Sequence, residues 1–287
     1  MRVLDEPDWR AMAAAHRARV AAWTGPHRER RRRGEAHPVM DFLFTYYSLR
    51  PARLEQWDPG FGVALRGGEE RPGYVRDGDA VRLDPAALPP RLTGTAEFVR
   101  ALLEATASRA PRLGCFGLHE WAMVYRTDAP RHGAVPLRLG SAGTDAVVES
   151  LPVHCTHHDA YRFFTAAAAP RNAVTPTRDA QVAHEQPGCL HATMDLYKWA
   201  YKLSPATPSD LLADCFALAV DVRGLDMRAS PYDLADLGYP PVRIETAAGR
   251  AEYARAQAAF AERAAPLRRR LVEVCDQLIP APTPHRS

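Results

Sequence analysis

Lysine is nearly missing from this chain. Lys198 and Lys202 stand against 35 arginines. Combined with abundant alanine, that imbalance is the signature of codon bias in a GC-rich genome, so arginine content alone does not announce a nucleic-acid partner. Long apolar runs are missing too. None reaches the roughly 18 residues a membrane span needs, and no membrane partner is expected. The five cysteines, Cys115, Cys155, Cys189, Cys215 and Cys275, are odd in number and contain no CxxC pair. A disulfide framework is not expected, and neither is a tightly bound structural zinc, because the cysteines lack paired spacing and the histidines lack a matching second pair. With no signal peptide recognised, reduced thiols in a cytoplasmic protein are the expectation. GxGxxG, P-loop, GxSxG and protein-kinase signatures are absent, which argues against dinucleotide and nucleoside-triphosphate chemistry.

What remains is an ordinary globular composition: 287 residues, 46% hydrophobic and 25% charged, with a net charge of +3. Wholesale disorder is excluded. The charge is uneven. Residues 1–33 hold nine arginines and four acids, and Arg28 with Arg30 to Arg33 forms a run suited to phosphate groups. The bland reading of that run is a solvated arm.

Periodicity predicts an amphipathic helix over 8–24, stopped by Gly25-Pro26. A β-hairpin is expected from Phe61–Arg66 and Tyr74–Leu83, with Asp77-Gly78 as a second turn signal. Further helices are predicted over 95–109 (Thr95 as cap), 156–168, 189–203, 208–222 and 247–278. In the last, Pro266 should kink or split the helix. A short strand is expected at Val135–Leu139. The sum is an α+β fold, predominantly α-helical, with a small β-hairpin element. It is organised as an N-terminal helix and basic segment (1–36), a single globular domain (37–279) and a flexible tail (280–287).

Chemistry concentrates between about Cys115 and Tyr201. Seven of eleven histidines and three of five cysteines lie there. His119 and Glu120 are adjacent, so they point apart and act separately unless the backbone turns sharply. His154, His157 and His158 sit at spacings of three and four, which suits two metal ligands on a helix start or a plain polar first turn. His191 and Asp195 share a helix face, and Gly188 would allow the helix N-terminus a close approach to another group. Trp121, Tyr125 and Trp199 belong to an aromatic cluster that forms a core or stacks a planar ligand. The segment Asp221–Asp233 alternates in charge and reads as a buried ion-pair turn.

The strings Asp41-Phe-Leu-Phe-Thr-Tyr-Tyr47, Phe116-Gly-Leu-His-Glu-Trp-Ala-Met-Val-Tyr125, Glu185-Gln-Pro-Gly-Cys-Leu-His191, Met194-Asp-Leu-Tyr-Lys-Trp199 and Asp226-Met-Arg-Ala-Ser-Pro-Tyr-Asp233 resemble a family of actinobacterial proteins often labelled 3-methyladenine DNA glycosylase. The resemblance extends from about Pro38 to the final helix and implies DNA repair by excision of alkylated bases. The chain has no helix-hairpin-helix element with a glycine-rich hairpin and later Asp, so no catalytic residue is carried over by motif.

Under that reading DNA is the partner, no cofactor is needed, and the site is assembled from residue chemistry. Glu120, then Asp195, would be the catalytic carboxylate, with His119 beside it. Trp121, Tyr125, His191, Trp199 and Glu185 would bind the flipped base. The alternative is a metal-dependent enzyme acting on a small molecule through a His/Asp/Glu cluster. Its divalent-metal candidates are His154, His157, His191 and Asp195, and Glu120, His157, Glu185, His191 and Asp195 are expected to converge on one concave pocket. A binding protein without chemistry is the third class.

Overall fold

The computed structural model describes residues 1–130 and 133–280. The fold is predominantly helical α+β: eleven α-helices and one four-stranded sheet occur among the described residues. No helix there is long and apolar enough to cross a membrane. Of the tail expected over 280–287, all but Pro280 lies outside the described residues.

Contacts divide the chain into two compact units. The first comprises Met1–Leu103, Leu196–Ala217 and the chain from Leu267; the second comprises Glu104–Asp195 and Leu218–Pro266.

The first unit opens with β1 (Arg2–Leu4) and a helix over Glu6–Arg33 that runs straight through Gly25-Pro26. The expected stop fails because tertiary bonds hold both sides of the proline. Thr24 donates to Glu55 at 2.6 Å, and the His27 ring meets Asp41 at 2.8 Å. Proline in a helix interior costs roughly 3 kcal/mol, which such anchors together offset. Gly34, left-handed at φ 70°, ends the helix instead. The arginine run is consequently helical rather than a solvated arm. Arg28 pairs with Glu55, Arg30 with Asp41, and Arg33 with Glu29 and Glu35.

The sheet order is β1-β2-β4-β3, with β2 at Val63–Arg66, β3 at Tyr74–Asp77 and β4 at Ala80–Leu83. The tight hairpin is β3–β4, turning at Gly78 with φ 64°. The Gly67–Gly73 connection is therefore not the hairpin loop: it carries the chain to the edge strand, and β2 pairs with β4. Rings of Trp23, Phe44, Tyr47 and Tyr197 pack in a chain with Phe216 in this unit.

Asp41 links three segments: it accepts from Arg30, from the His27 ring and from the His37 amide at 2.8 Å. Although burial opposes its charge, these donors bring its pKa down to about 2. A depressed carboxylate stabilises above its ordinary pKa and loses that contribution as pH falls through the folded value. An Asp41→Asn protein is therefore expected to unfold more readily than the parent above pH 4. The gap should close between about pH 4 and 2, and urea midpoints across that range check it.

In the second unit the helices are Leu118–Ala122, Gly140–Ser150, His158–Tyr161 and Gln181–His184, together with parts of the three long helices Leu190–Lys202, Ser209–Arg228 and Ala247–Leu278. The helix expected over 156–168 shrinks to four residues. The segment expected to be an ion-pair turn from Asp221 is helical as far as Arg228. Val135–Leu139 supplies only a bridge, Leu137 to Tyr232. The last helix is continuous through Pro266, and Thr95 lies within the Arg91–Ala107 helix, its hydroxyl bonded back to Arg91.

Candidate functional site

The second unit contains a cavity of about 330 Å³. Its wall includes His119, His154, His191, Tyr253 and Gln257, and three cysteines, Cys115, Cys155 and Cys189. Chain segments far apart in sequence meet here because one strap fixes them. Gln186 Oε1 accepts from the amides of Arg112 and Gly188, and Gln257 Nε2 donates to the Gly188 carbonyl. A Cβ on Gly188 would lie 2.8 Å from the Arg112 carbonyl oxygen, backbone that has nowhere to retreat. The close approach anticipated at Gly188 is thus to the protein's own backbone. Gly188→Ala should destabilise by about 1–3 kcal/mol, the usual range for overpacking, as a lowered urea midpoint.

Two buried histidine–carboxylate groups adjoin the cavity or lie behind it. In the first, His119, His191 and Asp226 bring ligand atoms within 4.8 Å of one another. His119 comes from the short Leu118–Ala122 helix. Asp226 lies in the last turns of Ser209–Arg228, and His191 near the start of Leu190–Lys202. His119 Nε2 and Asp226 Oδ1 are 2.8 Å apart, a buried ion pair when the imidazole is protonated. The other Asp226 oxygen accepts from Arg223 Nη1 at 3.1 Å, and the same nitrogen donates to Glu120 at 2.8 Å. On the far side of the ring, His119 Nδ1 is 3.6 Å from the Cys115 sulfur.

Burial opposes a charge on His119, but Asp226, then Cys115, holds its pKa well above the usual histidine value. Burial likewise opposes the Asp226 charge, and His119 nevertheless keeps that carboxyl low. His191 moves the other way: burial, then the charge on His119, depresses it strongly, so it is a neutral imidazole with lone pairs to offer. Burial pushes the Cys155 thiol up to about 12 and holds the Cys189 thiol well above its ordinary value, so neither is a ready nucleophile.

The second group is His157, Glu185 and Asp195, again within 4.8 Å and fully buried. It is not part of the cavity wall. The His157 ring stacks on His191 at 5.2 Å, and His191 meets His119 at 4.4 Å, so the groups are in ring contact.

The residues singled out in the sequence therefore separate. Of Glu120, His157, Glu185, His191 and Asp195, only His191 reaches the cavity. His157, Glu185 and Asp195 cluster behind it, and Glu120 is held by Arg223. His154 is exposed on the cavity wall, away from the helix that begins after His157, so the three-and-four spacing does not bring them together. Trp121 is fully buried and donates to the Ala229 carbonyl at 2.8 Å. Tyr125 is buried and donates to Glu149. Trp199 belongs to the first unit, against Phe98 and beneath the ammonium groups of Lys198 and Lys202.

No protein-family model, curated protein or solved structure matches the chain. Function is accordingly argued from the geometry.

The sequence points to Asp226 only as part of an ion-pair segment, and gives Tyr253 and Gln257 no role at the site. Tyr253 and Gln257 line the cavity, and Tyr253 Oη and Gln257 Oε1 are buried with no hydrogen-bond partner among the described residues. Their spacing of four places both on one face of Ala247–Leu278.

Proposed function

We propose that the chain is a metal-dependent enzyme acting on a small molecule, with a divalent first-row ion between His119, His191 and Asp226. The carrying observation is that two imidazoles and a carboxylate, all buried, bring ligand atoms within 4.8 Å of one another, two of these residues lining the cavity. Two histidines and one carboxylate suit non-haem iron and its first-row neighbours. With His119 and His191 on the cavity wall, a bound ion would face a space of about 330 Å³, the scale of a small-molecule site.

When bound, the ion supplies Lewis-acid polarisation of a substrate or water. The chain's own residues do the rest. Arg223 fixes Asp226 through Oδ2 and leaves Oδ1 facing the imidazoles, an outer-shell role. Tyr253 offers a hydroxyl donor, kept protonated because burial raises its pKa, and Gln257 offers an acceptor. A buried hydroxyl without a partner costs about 1–3 kcal/mol. Tyr253→Phe should therefore unfold at the same or a higher urea concentration than the parent, where loss of a satisfied hydroxyl would lower it.

The deciding experiment is metal analysis of chelator-stripped protein after reloading. Asp226→Asn should lose one equivalent of metal, and unchanged metal content in that variant would overturn the assignment. Base excision, the activity the family resemblance implies, is the alternative. It would place Glu120 at the water, Trp121, Tyr125 and Trp199 at the base, and the Arg28–Arg33 run on phosphates. Salt-dependent anisotropy titrations with alkylated DNA test it, with glycosylase assays beside them.

A further inference from the structure

The His157–Glu185–Asp195 group lies outside the cavity wall, and the proposed catalytic ion does not use it. We infer that these three residues hold a second divalent ion, distinct from the one at His119, His191 and Asp226. The inference goes beyond the proposed function and stands or falls separately from it.

Distances favour a metal over a simple ion pair. His157 Nε2 lies 3.4 Å from Glu185 Oε1 and 3.3 Å from Asp195 Oδ2. Charge-assisted hydrogen bonds of this type cluster near about 2.7–2.9 Å. The edge of a coordination tetrahedron with bonds of about 2.0–2.1 Å is about 3.3–3.4 Å. The donor set carries two formal negative charges, the complement of a divalent cation. Its mixture of one imidazole and two carboxylates suits manganese, iron, cobalt or zinc over calcium.

Position and support agree. Side-chain exposure is 1% for His157, 3% for Glu185 and 0% for Asp195, so the charges sit where an ion is worth most. Glu185 is aimed by its neighbours: Gln181 Nε2 donates to Oε1, and Arg109 donates to its backbone carbonyl at 2.7 Å. Such outer contacts orient ligands in metal sites. One helix face serves both groups, His191 for the first and Asp195, one turn later, for the second. The donor sets share no residue, and the stacked rings of His157 and His191 join them. A bound ion there would hold His157 against His191 and so brace the wall of the cavity.

The test is equilibrium dialysis of the chelator-stripped full chain against cobalt(II), and separately zinc(II), with bound metal counted per chain. The wild type is expected to bind two equivalents. Glu185→Gln and Asp195→Asn should each bind one, as should Asp226→Asn, while Glu185→Gln combined with Asp226→Asn should bind none. Circular dichroism of each variant establishes that it is folded, and the wild-type count needs no variant. A wild-type count of one, lost in Asp226→Asn and kept in Glu185→Gln, overturns the second site and leaves the proposed catalytic ion standing. The reverse pattern, one equivalent lost only in Glu185→Gln, sustains this site and removes the other. Two equivalents in Glu185→Gln and Asp195→Asn would also overturn it.

Discussion

Arg223→Met should destabilise the protein by about 3–5 kcal/mol, the range for breaking a buried ion pair. Arg223 is 1% exposed and its Nη1 serves both Glu120 and Asp226. Without the guanidinium, two carboxylates remain in a low-dielectric interior beside His119, which offers only one positive charge. The loss should appear as a lowered urea midpoint with little change in slope. Adding Glu120→Met should return part of the loss, because an apolar pair of similar volume removes the uncompensated charge instead of stranding it. A single Arg223→Met variant within about 1 kcal/mol of the parent, the ordinary scale of point substitutions, would mean that water reaches this cluster.

Metal should move stability almost as far in the opposite direction. An ion that binds only the folded chain stabilises by about 2.7 kcal/mol at a hundredfold excess over Kd. With both groups loaded, the gain should approach twice that figure. The measurement is the unfolding midpoint of chelator-stripped protein with and without cobalt or zinc, read with the stoichiometry of each variant. Loading releases a proton from His119, since a ligating imidazole must be neutral and Asp226 raises its proton affinity in the metal-free protein. Apparent affinity at that group should accordingly rise with pH. A midpoint indifferent to metal would exclude both ions.

Much of the fold follows from periodicity. Ala247–Leu278 and Leu190–Lys202 are visible in the spacing of apolar residues, because each buries a regular stripe whatever its neighbours do. The first helix was harder. Gly25-Pro26 is a local stop, and only bonds from Thr24, His27 and Arg28 to distant segments carry the helix past it. Four-residue helices such as His158–Tyr161 have no periodicity to detect. At the site, His119, His157, Glu185, His191 and Asp195 were legible as a concentration of ligand types. Their division into two groups was not, because it depends on which segments meet across tens of residues. Asp226 reads as structural rather than as a ligand, because alternating charge over 221–233 looks like an ion-pair turn. The available signal was the spacing of three between Arg223 and Asp226, which in a helix places both on one face. Tyr253 and Gln257 were hidden in plain sight: in a long helix, a buried tyrosine and glutamine four apart read as packing until a cavity is seen beside them.

The scarcity of lysine makes one helix its own reporter. A lysine-specific protease finds peptide bonds to cut in this chain only after Lys198 and Lys202, both within Leu190–Lys202 and followed by the buried residues Trp199 and Leu203. A helical, half-buried segment must open before a protease can thread it, so in the fast-reclosing regime the cleavage rate measures the free energy of that opening. Cleavage after either lysine therefore times the opening of the helix that carries His191 and Asp195, without a dye, a tag or a substrate. A bound ion that tethers either ligand should slow the digestion, and the fragments released would count opening events of that helix.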